Sequence, residues 1–236
     1  MKTKAKLLLS ALLLTGASAV ECAAQDWPAL NRYRDDNQAL MEARRNDPAE
    51  AQKKWVVFMG NSITQNWAKM DPDFFTTHNY IGRGISGQTS PQMLLRFRQD
   101  VIDLAPKAVV ILAGTNDIAG NTGPSNIKMI MDNIVSMAQL ARANGIEVVL
   151  CSVLPANRYR WAPEVKPAET IVELNRQIKA YAEENHLTYA DFYTPLVDDQ
   201  MGLNPAYGND GVHPTLDGYK IIEPLAVEAI EKALAR

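Results

Sequence analysis

Two segments far apart in the chain carry the side chains of a nucleophile and its base. Asp210-Gly211-Val212-His213-Pro214 sets a carboxylate three residues from an imidazole. In a turn, that carboxylate reaches back to the ring, fixes its tautomer and favours the imidazolium formed on proton transfer. A lone histidine before a helix is more often structural, and His78 and His186, with no such partner, read as surface or loop residues. Upstream, Val56-Val57-Phe58-Met59-Gly60-Asn61-Ser62-Ile63-Thr64 reads as a buried strand that runs into glycine, with a serine just before a helix. Serine is a poor nucleophile at neutral pH unless a base takes its proton. Its alternative role here is to cap the following helix.

Two further segments supply hydrogen-bond donors. In Ala113-Gly114-Thr115-Asn116-Asp117 a side-chain amide sits at a strand tip, where it suits a developing negative charge. Asn and Asp also end strands for purely local reasons. Gly82-Arg83-Gly84-Ile85-Ser86-Gly87-Gln88-Thr89 spells G-x-G-x-x-G between a strand and a helix, so a dinucleotide loop must be weighed. It follows the second predicted strand and not the first, and the next strand leads to no ribose-binding carboxylate. The other readings are a flexible turn, or a backbone N–H of Gly87 brought close to an oxyanion. Asp210, His213 and His78 make no recognisable ligand set, so no metal is expected.

The elements that must position these residues alternate in pattern. Short apolar or β-branched runs occur at 55–59, 79–81, 108–112, 147–153 and 188–192. Helix-length segments lie at 90–104, 124–144, 168–185 and 215–235, and residues 27–45 read as a polar-rich helix stopped by Asn46-Asp47-Pro48. Strand–helix alternation predicts a parallel sheet covered by helices on both faces. The runs 109–112 and 148–150 are apolar throughout, as doubly covered strands are. The loop 155–167, rich in Arg and aromatic residues, is expected over the carboxyl edge of the sheet, where open α/β sheets bind ligands. Within it Tyr159, Arg160 and Trp161 are candidate substrate contacts, or parts of a solvated lid with no such role.

The 236 residues suffice for one sizeable core. With 24 basic against 27 acidic residues and a net charge of -3, no nucleic-acid footprint is present. Lys2, Lys4 and Lys6 precede the apolar run 7–14 and then small residues, the pattern of a cleaved secretory signal. The apolar run is shorter than the ~20 residues a spanning helix needs, so no stable membrane insertion is expected after cleavage. Cuts after Ala19 or Ala24 both fit, and the second leaves a polar start at Gln25. The expected organisation is a signal at 1–24, an N-terminal helical extension at 25–54 and one domain at 55–236. The expected destination is periplasmic or extracellular. Cys22 departs with the signal, which leaves Cys151 alone in an apolar run, a small core residue with no intrachain disulfide.

Taken together and in order, the four segments resemble the SGNH hydrolases, the GDSL esterase/lipase superfamily, in its platelet-activating-factor acetylhydrolase-like and carbohydrate acetylesterase-like branch. The resemblance runs from about Trp55 to the C-terminus. Gly60-Asn61-Ser62-Ile63 matches the first block, Gly87 the second, Asn116 the third, and Asp210 with His213 the last. It implies a flavodoxin-like three-layer α/β/α sandwich of about five parallel strands and a serine mechanism without cofactor. Ser62, Asp210 and His213 would form the triad, and the N–H groups of Ser62 and Gly87 with the Asn116 amide the oxyanion hole. One departure is Asn61, where the family commonly has aspartate; the size and acceptor oxygen remain, and activity is expected to survive. Asn61 is also a candidate substrate contact. The expected reaction is hydrolysis of short acyl esters, acetyl foremost, on a small molecule or carbohydrate. A lysophospholipase or thioesterase on the same site and a non-catalytic carbohydrate-binding protein are the rival readings. The sequence leaves the oligomeric state open.

Overall fold

The computed structural model describes residues 26–236, so the expected signal, both cleavage positions and Cys22 lie outside the described residues. The chain opens with turns and helices α1 (Arg34–Asn46) and α2 (Pro48–Gln52), then β1 (Val56–Gly60), α3 (Ser62–Met70) and α4 (Pro72–Thr77). Strand β2 (Tyr80–Gly84) leads to α5 (Ser90–Asp100) and a 3-10 turn at Ile102–Leu104. Strand β3 (Ala108–Leu112), the short α6 (Thr115–Ile118), α7 (Ile127–Ala143) and β4 (Glu147–Cys151) follow. The last elements are α8 (Ala168–Glu184), β5 (Thr188–Ala190) and α9 (Leu216–Leu234).

The five strands form one parallel sheet in the order β2-β1-β3-β4-β5. Because side chains alternate across a strand, each strand feeds two cores. Val57, Met59, Val109, Ile111, Val148 and Leu150 face the helices α5, α7 and α8. Val56, Phe58, Val110, Leu112, Val149 and Cys151 face α3, α4 and α9. The result is the expected three-layer α/β/α sandwich. Cys151, 1% exposed, is a core residue, and its burial pushes the thiol pKa far up.

Strand order reverses at β1: the chain moves outward to β2, then crosses back to add β3 on the other side. The carboxyl ends of β1, β2 and β3 are in register at Gly60, Gly84 and Leu112. The crevice at such a switch point is where open α/β sheets bind ligands. Gly84 allows α3 to lie directly on the sheet there, since a Cβ at this position would come within 2.2 Å of the Gln65 backbone nitrogen.

The predicted helix at 27–45 forms only from Arg34. Its first part is turns because its backbone groups are engaged elsewhere. Asp26 accepts the N–H groups of Leu30 and Asn31, and the carbonyls of Trp27, Pro28 and Leu30 accept from Gln92, Gln88 and Gln99. A helix would have used those carbonyls internally. Helix α1 docks on the core through Leu40, Met41 and the buried Asn37, which accepts from Arg83 near the end of β2.

Candidate active site

Helix α3 starts at the tip of β1. Asn61, 1% exposed, accepts the Ile63 N–H at 2.9 Å and so forms the N-cap. The residue is buried and its side-chain oxygen serves the cap, a structural task that the expectation of a substrate contact at Asn61 did not include. The cap also leaves Ser62 free of that task and places it on the first helical turn, where its N–H has no helical acceptor.

From the opposite end of the chain, the loop before α9 brings His213 to the same edge. Ser62 Oγ lies 2.8 Å from His213 Nε2, and His213 Nδ1 lies 2.7 Å from Asp210 Oδ2. The other oxygen of Asp210 accepts the backbone N–H groups of Val212 at 2.9 Å and His213 at 2.8 Å. Burial pushes the Asp210 pKa up, but those N–H bonds and the contact with the His213 ring outweigh it and hold the carboxyl below its ordinary value. With the ring proton on Nδ1, Nε2 is an acceptor aimed at the Ser62 hydroxyl. This arrangement can take a proton from serine and hand it to a leaving group.

The donors converge on the same spot. In the loop after β2, the Ser86 N–H is taken by Gln65 Oε1 and the Gln88 N–H by the Ile85 carbonyl. Gly87 stands between them at φ +78, a conformation that a side chain disfavours, and its N–H has no acceptor among the described residues. Asn116, 4% exposed, donates one amide hydrogen to the Gln88 carbonyl at 2.9 Å, which leaves the second for a ligand. Ser62, Ser86, Gly87, Asn116, Asn121, Trp161 and His213 line one cavity of about 190 Å³. Three donors beside a nucleophile suit a tetrahedral oxyanion. In the glycine segment, Gly84 serves helix–sheet contact and Gly87 serves the loop tip.

The aromatic loop divides. Trp161, 47% exposed, lines the cavity and donates from Nε1 to Asn121 Oδ1 at 2.9 Å. Asn121 in turn donates to the Gly87 carbonyl at 3.1 Å, which ties the tryptophan to the donor loop. Tyr159 is corrected: it is 1% exposed, stacked under Trp161 at 5.0 Å between ring centroids, and belongs to the core. Arg160 is exposed and is not among the residues that line the cavity at Ser62.

Sequence reasoning missed the buried scaffold beneath the site. Arg96, 0% exposed, donates to the carbonyls of Gly60 at 3.0 Å and Arg83 at 2.8 Å, the ends of β1 and β2. It also donates to Gln88 Oε1 at 2.6 Å and Asp100 at 2.9 Å. Gln88 donates onward to the Pro28 carbonyl, and Asp100 accepts from Asn37 of α1. The signal was present in the i, i+4 spacing of Arg96 and Asp100 on the same helical face as Met93 and Phe97. Asp117, next to Asn116, accepts the Ser90 N–H and hydroxyl and so joins α6 to the start of α5. Burial pushes its pKa up to about 6 against the pull of the Ser90 hydrogen bonds.

Comparison with known proteins agrees with this geometry. The model of the GDSL-like lipase/acylhydrolase family matches residues 58–221. The esterase TesA of Pseudomonas aeruginosa is 29% identical over 163 residues, covering 67% of this chain and 74% of TesA. A solved GDSL-like lipase of Bacteroides thetaiotaomicron VPI-5482 is 52% identical with a TM-score of 0.82, covering 87% of this chain and 98% of that one. A solved protein of Bacteroides fragilis NCTC 9343, described as an acylhydrolase, is 49% identical with a TM-score of 0.84, covering 89% of this chain and 100% of that one.

Proposed function

The chain belongs to the GDSL-like lipase/acylhydrolase family and is an ester-hydrolysing enzyme, and from that premise we propose an exported serine esterase that removes short acyl groups, acetyl foremost, from carbohydrate. The observation that carries the acyl preference is the cavity at Ser62. At about 190 Å³, with no aliphatic side chain among its lining, it has room for acetyl and offers no aliphatic trough to a long chain. Pockets for drug-sized ligands run to roughly 300–1,000 Å³. The exposed face of Trp161 at its rim supports the carbohydrate reading, since an aromatic ring offers an apolar platform to a sugar. Export rests on the basic, apolar and small-residue pattern of residues 2–24.

In this reading Ser62 Oγ attacks the acyl carbonyl as His213 Nε2 takes its proton, and Asp210 holds the imidazolium. The oxyanion accepts from the N–H groups of Ser62 and Gly87 and from the Asn116 amide. His213 then protonates the departing alcohol oxygen. Water, deprotonated by the same ring, frees the acid from Ser62. No cofactor enters these steps.

The test is hydrolysis of p-nitrophenyl acetate, butyrate and octanoate by protein starting at Gln25, beside Ser62→Ala. Rates that fall steeply with chain length and vanish in the variant fit the proposal. A preference for octanoate rejects the short-acyl reading in favour of lipid or thioester substrates.

A further inference from the structure

A second, larger cavity opens on the other side of the catalytic pair. It holds about 440 Å³, and Asp210 and Gly211 form part of its wall. His213 lines the first cavity and Asp210 the second, so the two meet across the Asp210–His213 hydrogen bond. Adding the 2.8 Å and 2.7 Å contacts to the width of an imidazole puts this wall within roughly 8 Å of the Ser62 hydroxyl. The side matters chemically. His213 must deliver its proton from Nε2 to the departing oxygen, so the alcohol portion of the ester starts beside the ring, and only a leaving group long enough to pass the ring reaches this cavity.

Its lining suits a polyol. Arg158 is exposed, and among the described residues its guanidinium makes no hydrogen bond or ion pair. Asp198 spends Oδ1 on the N–H groups of Gln200 and Gly202, which fixes its carboxylate and leaves Oδ2 open. Asn157 is held by the Gln200 carbonyl, and Asn209 adds a second carboxamide. Leu203 and Pro205 supply apolar surface for the C–H face of a ring. A fixed carboxylate accepts from neighbouring hydroxyls while guanidinium and amide groups donate to others. The carboxylates of Asp198 and Asp210 outnumber the one cation at Arg158, which disfavours an anionic ligand and suits a neutral one.

Resting on the proposal of a carbohydrate deacylase, we infer that this cavity is a leaving-group subsite. It binds the sugar unit next to the acylated one, with Arg158 and Asp198 as its specificity-determining residues. The enzyme therefore acts on acylated oligosaccharides in preference to acylated monosaccharides.

The experiment compares p-nitrophenyl acetate, a mono-O-acetylated xylose and a mono-O-acetylated xylobiose, whose second sugar keeps its hydroxyls free, with the wild-type protein, Arg158→Ala and Asp198→Asn. The expected wild-type result is a kcat/KM about tenfold higher for the disaccharide than for the monosaccharide. Each variant loses that advantage through KM, with kcat and the p-nitrophenyl acetate rate unchanged. Asp198→Asn keeps the oxygen that holds the turn, so it guards against a folding artefact. Equal wild-type rates on the two sugars overturn the subsite and leave the carbohydrate reading standing. So do variants that slow all three substrates alike. Turnover of p-nitrophenyl acetate with none on either sugar overturns both.

Discussion

The Asn116 amide donates to the Gln88 carbonyl, and Gln88 is held in turn by Arg96 and the Pro28 carbonyl. One donor of the site is thus aimed by a chain of buried bonds that ends in the N-terminal turns. Asn116→Ala removes the donor and leaves the triad untouched. We expect kcat to fall by on the order of 10²–10³ with KM little changed. A rise in KM at constant kcat would instead assign Asn116 to substrate binding.

Asp210→Asn keeps the shape of the turn but offers its amide to the ring. His213 is then held in the wrong tautomer, with no acceptor aimed at Ser62. The expected loss in kcat is on the order of 10³–10⁴, with an unchanged melting temperature. Loss of folding in place of activity would assign Asp210 to the turn, whose two N–H groups it also holds.

Arg96 and Asp100 are both 0% exposed. Asp100→Ala leaves the guanidinium buried without its counter-charge, which costs about 3–5 kcal/mol. Urea denaturation measures this directly. Activity per folded molecule should also drop, because the same guanidinium binds the carbonyls at the ends of β1 and β2.

Asp117 gives the fold a dependence on pH. Its pKa is raised to about 6 from an ordinary 3.8, chiefly by burial. The folded state therefore holds this proton more tightly than the unfolded state. Its favourable contribution is complete below about pH 4 and is lost as pH rises through about 6. Two pKa units correspond to about 3 kcal/mol. Melting curves of wild type and Asp117→Asn should show the variant gaining on the wild type across that window. Parallel curves would mean that the carboxyl ionises without penalty.

Much of this was readable beforehand. The doubly apolar strands 109–112 and 148–150 announced a covered parallel sheet, and Ser62, Gly87, Asn116 and the Asp210/His213 turn stood out by type and position. What escaped were choices settled by tertiary contact. Asn61 and Ser62 are both good capping residues, and only the geometry at the end of β1 decides that Asn61 caps and Ser62 reacts. Tyr159, Arg160 and Trp161 are indistinguishable as a cluster until the loop folds. One ring then goes under, one stays out, and the arginine that faces a cavity is Arg158. The segment 26–33 looks helical in sequence but stays in turns because its carbonyls are claimed by glutamines 60 to 69 residues away.

Ser62 and His213 are 151 residues apart in the chain, and the strands between them must pair before the two can meet. Contacts of such long range close late in folding. A nascent or C-terminally shortened chain thus carries its nucleophile unarmed. Hydrolysis begins only when α9 has docked and delivered the base, so the onset of turnover timestamps the completion of folding.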